Sequence, residues 1–145
     1  MIAVDTNLLV RHLTQDDPVQ SPIAGRLLKH PGGIFLSVSV LLELEWVLRA
    51  ACELPSAIVQ QCLLGICGMP NVKVENEFQV KVALDDWSAG MDFADALHAA
   101  SSQADEGLYT FDKKFAKKTL ALGRDVRLAR GEFGGAVPLA KPSQI

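Results

Sequence analysis

Apolar segments about three residues long, each set apart by a stretch of helical periodicity, constrain this chain more than any other feature. Ile2 to Val4, Ile34 to Leu36, Val72 to Val74, Leu108 to Thr110 and Val126 to Leu128 are the strand candidates. Between them, Leu8, Leu9 and Leu13 fall on one helical stripe. Asp17-Pro18 starts a second helix, with Asp17 as N-cap, Pro18 at the first helical position and Ile23, Leu27 and Leu28 as its apolar face. After the Gly32-Gly33 break, Ser37 or Ser39 caps a helix running through Leu41, Leu44, Val47 and Leu48 towards Cys52. Pro55-Ser56 opens another, carrying Ile58, Val59, Cys62, Leu63 and Ile66. Asn76 caps the next, with Phe78, Val82 and Leu84 inward and Gly90 ending it; Asp92 to Ala104 and Lys113 to Leu122 are the last two. Strands alternating with helices under right-handed crossovers predict a three-layer α/β/α domain with a short-stranded, mainly parallel central sheet. The domain is expected over residues 1–130. An irregular tail is expected over 131–145, where three glycines and two prolines fall in fifteen residues.

Hydrophobic residues at 49% and charged residues at 21% of 145 fit one globular domain rather than disorder. No apolar run approaches the roughly 18–20 residues of a membrane helix, and Met1 to Asp5 lack the basic start of a signal peptide. A cytoplasmic protein with no membrane partner is therefore expected. Cys52, Cys62 and Cys67 are odd in number and lack a partner at zinc spacing, so buried thiols are expected rather than disulfides or a metal site. The net charge of −3 does not advertise nucleic-acid binding, but its distribution is uneven. Residues 113–145 hold eight basic and two acidic residues, whereas residues 1–112 hold six basic and fifteen acidic. An acidic region followed by a basic one suits metal and phosphate together, and equally suits a solvated surface.

The carboxylates fall where parallel sheets build their sites, beyond the carboxyl ends of strands. Asp5 follows the first strand directly, and Asp112 lies just past the strand at Leu108. Glu43 and Asp95 lie early in helices and are flanked by apolar residues, which places both charges close to a core where they need a partner. Acids brought together repel one another and raise their pKa values unless a cation sits among them; magnesium suits such an all-oxygen set, and manganese can take the same ligands. Plain structural roles stay open for each. Asp5 and Asp112 can cap helices, Asp95 can answer a helix dipole, and Glu43 can pair with Arg49 or Arg11.

Four segments resemble the motifs of the PIN-domain family: Asp5-Thr6-Asn7, Glu43 within Val40-Leu41-Leu42-Glu43-Leu44, Asp95-Ala96-Leu97-His98-Ala99-Ala100, and Thr110-Phe111-Asp112-Lys113-Lys114-Phe115. They occur in order between Ile2 and about Phe115, and the small size is most similar to the VapC-like toxins of bacterial toxin–antitoxin pairs. The resemblance implies a metal-dependent endoribonuclease in which Asp5, Glu43, Asp95 and Asp112 hold Mg²⁺ or Mn²⁺ against an RNA phosphate, with no side-chain nucleophile. Thr6, Asn7 and Thr110 are then accessory groups that orient a carboxylate or a water, unless they serve only local turns. Asp92 is an accessory acid or an N-cap, and His98 is expected to pack or hydrogen-bond rather than catalyse. Lys113, Lys114, Lys117, Lys118 and Arg124, with Arg127 and Arg130, are candidates to track the RNA backbone. A cognate antitoxin partner and a homodimer are implied by the resemblance alone.

Three other readings stay open. A phosphatase of the haloacid dehalogenase type would need a second Asp two residues after the first, where this chain has Asn7. A PIN-like domain without catalysis would be an RNA- or protein-binding module. A PIN nuclease of RNA processing would keep the chemistry and lack the antitoxin.

Overall fold

β1 (Ile2–Ala3), β2 (Ile34–Leu36) and β3 (Val72–Val74) pair parallel in that order in the computed structural model, which describes residues 1–130. The tail expected from residue 131 lies outside the described residues. Register sets Ile2 opposite Ile34 and Leu36 opposite Val74. Ile34 and Leu36, on the central strand, are sealed from solvent. β4 (Leu108–Thr110) and β5 (Val126–Leu128) form a second parallel pair. All strand pairings among the described residues are thus parallel, as the strand–helix alternation predicts. The chain divides into two compact units, Met1–Lys81 and Val82 onward, and α5 (Glu77–Ser88) runs through the division.

In the first unit, α1 (Thr6–Thr14) packs on α2 (Gln20–Leu27) and on α3 (Val38–Trp46). A single π turn, Val47–Ala51, extends α3 and leads to α4 (Ser56–Cys67), which packs on α3 and β3. Leu9, Leu28, Leu41, Leu44, Leu48 and Leu63 form the core, each buried leucine contributing about 1.5–3 kcal/mol. Gly33, at φ 91°, makes the turn that brings its carbonyl to Ile2 N at 3.0 Å; a side chain there would be strained and would crowd Asn71 O.

Helix phase departs from expectation in several places. Asp17 acts as the expected cap before Pro18, its carbonyl accepting from Ser21 N at 3.0 Å. Its Oδ1 accepts from Val19 N at 2.9 Å and Gln20 N at 2.7 Å, while regular α2 begins at Gln20 because Pro22 has no N–H to bond the carbonyl of Pro18. The face α2 buries is Ser21, Ala24 and Leu28, leaving Ile23 and Leu27 exposed. Ser21 tolerates burial because its hydroxyl donates to Arg11 O at 2.7 Å. Phe78 is 76% exposed rather than inward, since the buried stripe of α5 is Val80, Ala83, Leu84 and Trp87. Ile58 is likewise exposed, α4 burying Val59, Leu63 and Ile66. The cysteines are free and half-buried rather than buried as expected; desolvation still pushes the Cys62 thiol up and that of Cys67 to about 11.

In the second unit, α6 (Phe93–Ser101) and α7 (Lys113–Ala121) pack together, and α7 covers β4 and β5. Phe93 tilts against Trp87 with centroids 4.9 Å apart. Gly90, at φ 110°, ends α5 and offers its carbonyl to Lys118 Nζ at 3.1 Å. No helix among the described residues is long and apolar enough to cross a membrane.

Candidate active site

Asp92, Asp95 and Asp112 line one cavity of about 130 Å³ together with Met91, Lys114, Phe115 and Lys118. Two helix starts place them. Asp92 is the N-cap of α6, its Oδ2 accepting from Asp95 N at 3.1 Å. Asp112 is the N-cap of α7, its Oδ1 accepting from Phe115 N at 3.0 Å. Thr110, at the end of β4, fixes the approach to Asp112 by accepting its backbone N–H at 3.0 Å. The capping roles weighed for Asp92 and Asp112, and the turn role weighed for Thr110, are therefore present. Each cap uses one carboxylate oxygen and leaves the other outside the capping bond.

Asp95 is the half-buried member, in the first turn of α6. Burial raises its carboxyl above the ordinary value; Asp92 and then Asp112 raise it further, while His98 and Lys118 act the other way. Each helix start also supplies backbone N–H groups and a positive dipole end, which suits anionic phosphate as well as carboxylate. His98 itself is exposed on α6.

In the first unit, Asp5 caps α1 through Leu8 N at 3.1 Å and lines a cleft of about 230 Å³ with Asn7, Leu8, Arg11, Gln20, Ile23 and Ala24. Thr6 is 4% exposed, and its hydroxyl has no hydrogen-bond partner among the described residues. Such a desolvated hydroxyl costs about 1–3 kcal/mol unless it meets water or a ligand. Glu43 departs from expectation. It is exposed on α3, while Glu45, two residues on, is 5% exposed and paired with Arg49 at 2.9 Å. At 100° per residue the core stripe runs Leu41, Leu44, Glu45, Leu48, and Glu43 falls on the outer side. Arg11, the other partner weighed for Glu43, bonds Asp16 at 3.0 Å.

Among the described residues, no three His, Cys, Asp or Glu side chains stand close enough to hold an ion as arranged. The donor set is nonetheless the right one for a hard divalent cation, since it is all carboxylate oxygen and Asp95 already feels the repulsion that a cation would relieve. Of the basic residues, Lys114 and Lys118 line the acidic cavity, and Lys113 and Lys117 are exposed on α7. Arg124 has another task. It forms a two-pronged ion pair with buried Asp86, at 2.8 Å for each bond, so its guanidinium is committed to the fold. Arg127 is likewise held by Asp125 at 2.8 Å. The sequence reading missed Glu45, Asp86 and the Arg11–Gln20 cleft; their partners are four, 38 and nine residues away, and only the first spacing is visible as a helix pair.

The second unit thus sets acids at two helix starts with lysines beside them. The chain matches the sequence model of the PIN domain family over residues 2–119, and it belongs to that family. Membership gives it the α/β/α PIN fold class and places it among nucleases. Among solved structures it is similar to the Mycobacterium tuberculosis toxin VapC20, described as cleaving the sarcin-ricin loop. Identity is 21%, with 81% of this chain and 94% of that chain covered, and the TM-score of 0.43 marks a loose superposition. No match was found among curated proteins.

Proposed function

We propose that this chain is a metal-dependent endoribonuclease that hydrolyses RNA phosphodiester bonds, acting as the toxin of a toxin–antitoxin pair in the cytoplasm. The observation that carries the chemistry is Asp95, half-buried and raised by burial and by two neighbouring acids that share its cavity. Asp5, Glu43, Asp95 and Asp112 are the proposed catalytic and metal-holding acids, with Mg²⁺ the expected ion and Mn²⁺ an alternative. When bound, the ion supplies positive charge against the phosphate and lowers the pKa of water. The chain does the rest. The capping bonds fix Asp92 and Asp112, Thr110 sets the strand-to-helix turn, and Lys114 and Lys118 hold the phosphate chain at the cavity edge. Thr6, Asn7, Asp92 and Thr110 serve as accessory groups, and Lys113 and Lys117 extend the basic track along α7. A cognate antitoxin and a homodimer belong to the same proposal and draw on family membership.

Hydrolysis by water distinguishes this mechanism by its products. Expression of the chain should arrest growth and create new RNA ends without 2′,3′-cyclic phosphate, because attack by water never closes that ring. Asp95→Asn should relieve the arrest and remove the new ends. Cyclic phosphate ends would contradict the proposed chemistry, and arrest that persists in Asp95→Asn without new ends would favour a binding module.

A further inference from the structure

The cleft beside Asp5 is not explained by the acid chemistry, and its lining is selective. Leu8 and Ile23 give it apolar walls, and Ile23 is 43% exposed where the pattern of α2 predicted burial. Asn7 and Gln20 bring amides to it. The Gln20 amide is oriented: Arg11 donates its Nε–H to Gln20 Oε1 at 2.9 Å, while Asp16 holds Arg11 from the other side at 3.0 Å. That bond fixes which end of the amide is the oxygen and leaves the Nε2 hydrogens as donors with no partner among the described residues. A cleft of about 230 Å³ lies below the ~300–1,000 Å³ of sites for drug-sized ligands, and so suits one flat ring.

We infer that this cleft is a nucleobase subsite, adjacent to Asp5, that selects a base bearing a ring carbonyl, with uracil preferred over adenine. This rests on the ribonuclease reading and adds its substrate preference. The base lies between the Leu8 and Ile23 side chains, and Gln20 donates to the carbonyl, which adenine lacks. Asn7, with both donor and acceptor, meets the adjoining edge.

The test is binding of uridine and adenosine hexanucleotides to the intact chain in EDTA, where cleavage is silent, with melting curves confirming that every variant is folded. Wild type should favour the uridine oligomer about tenfold, the factor for one net hydrogen bond. Gln20→Leu, which keeps the bulk and removes the donor, should bring the two affinities together and leave the salt dependence of binding unchanged. Ile23→Trp, which fills the cleft, should also erase the preference. Equal binding of both oligomers by wild type, or a preference that survives Gln20→Leu, would overturn the subsite and leave the nuclease proposal standing. If neither oligomer binds even at low salt, the RNA reading itself fails and the subsite with it.

Discussion

Burial and two neighbouring carboxylates hold Asp95 above the usual carboxylate range, so its ionised form is a liability to the metal-free fold. Between the ordinary value and the raised one, the native state binds more protons than the unfolded chain, and stability falls as pH rises through that window. Asp95→Asn removes this titration. In metal-free urea melts its stability relative to wild type should therefore climb across that window and stay level above it. A variant less stable than wild type at neutral pH would mean that Asp95 is a structural acid. Arg124 gives the opposite case. Its loss leaves Asp86, 5% exposed, as a buried charge without its partner, and Arg124→Ala should cost about 2–4 kcal/mol by denaturant unfolding. If Arg124 served RNA alone, the same variant would unfold like wild type.

At the scale of elements, the positions of strands and helices were legible and their rotation was less so. β2, β3, β4 and β5 fall on the expected residues because three-residue apolar runs between turn signals leave little freedom. Asp92 and Asp112 were legible as caps because capping is local, one side chain reaching three residues along. The Leu41, Leu44, Leu48 stripe of α3 was legible, whereas the faces of α2 and α5 were so only in part. Ser21 and Glu45 are buried through bonds to Arg11 O and Arg49, which a hydropathy pattern counts as outward. Ile23, Glu43 and Phe78 are left exposed. Leu44→Ala, in the sealed core, should lose about 2–5 kcal/mol, whereas Phe78→Ser should change stability by less than about 0.5 kcal/mol. Equal losses at the two positions in thermal melts would mean that the phase of α5 is misplaced.

Across the whole chain, fifteen of the seventeen acids precede residue 113 and eight of the fourteen basic residues follow it, a division that suits a cation and a polyanion together. If Lys114 and Lys118 meet phosphate, replacing either with Ala should weaken single-stranded RNA binding whatever the base and lower the salt slope by about 0.7 for each phosphate no longer neutralised. An unchanged slope would assign both lysines to the cavity alone. If carboxylates and a divalent cation cut RNA without a side-chain nucleophile, as proposed, cleavage of an end-labelled structured-RNA pool by purified protein reads it out. Wild type should cut with Mg²⁺ or Mn²⁺ and stop in EDTA, and Asp5→Asn and Asp95→Asn should each lose about a hundredfold or more. Cutting that continues in EDTA or in either variant, or a folded, antitoxin-free wild type inert with both metals, would contradict the account.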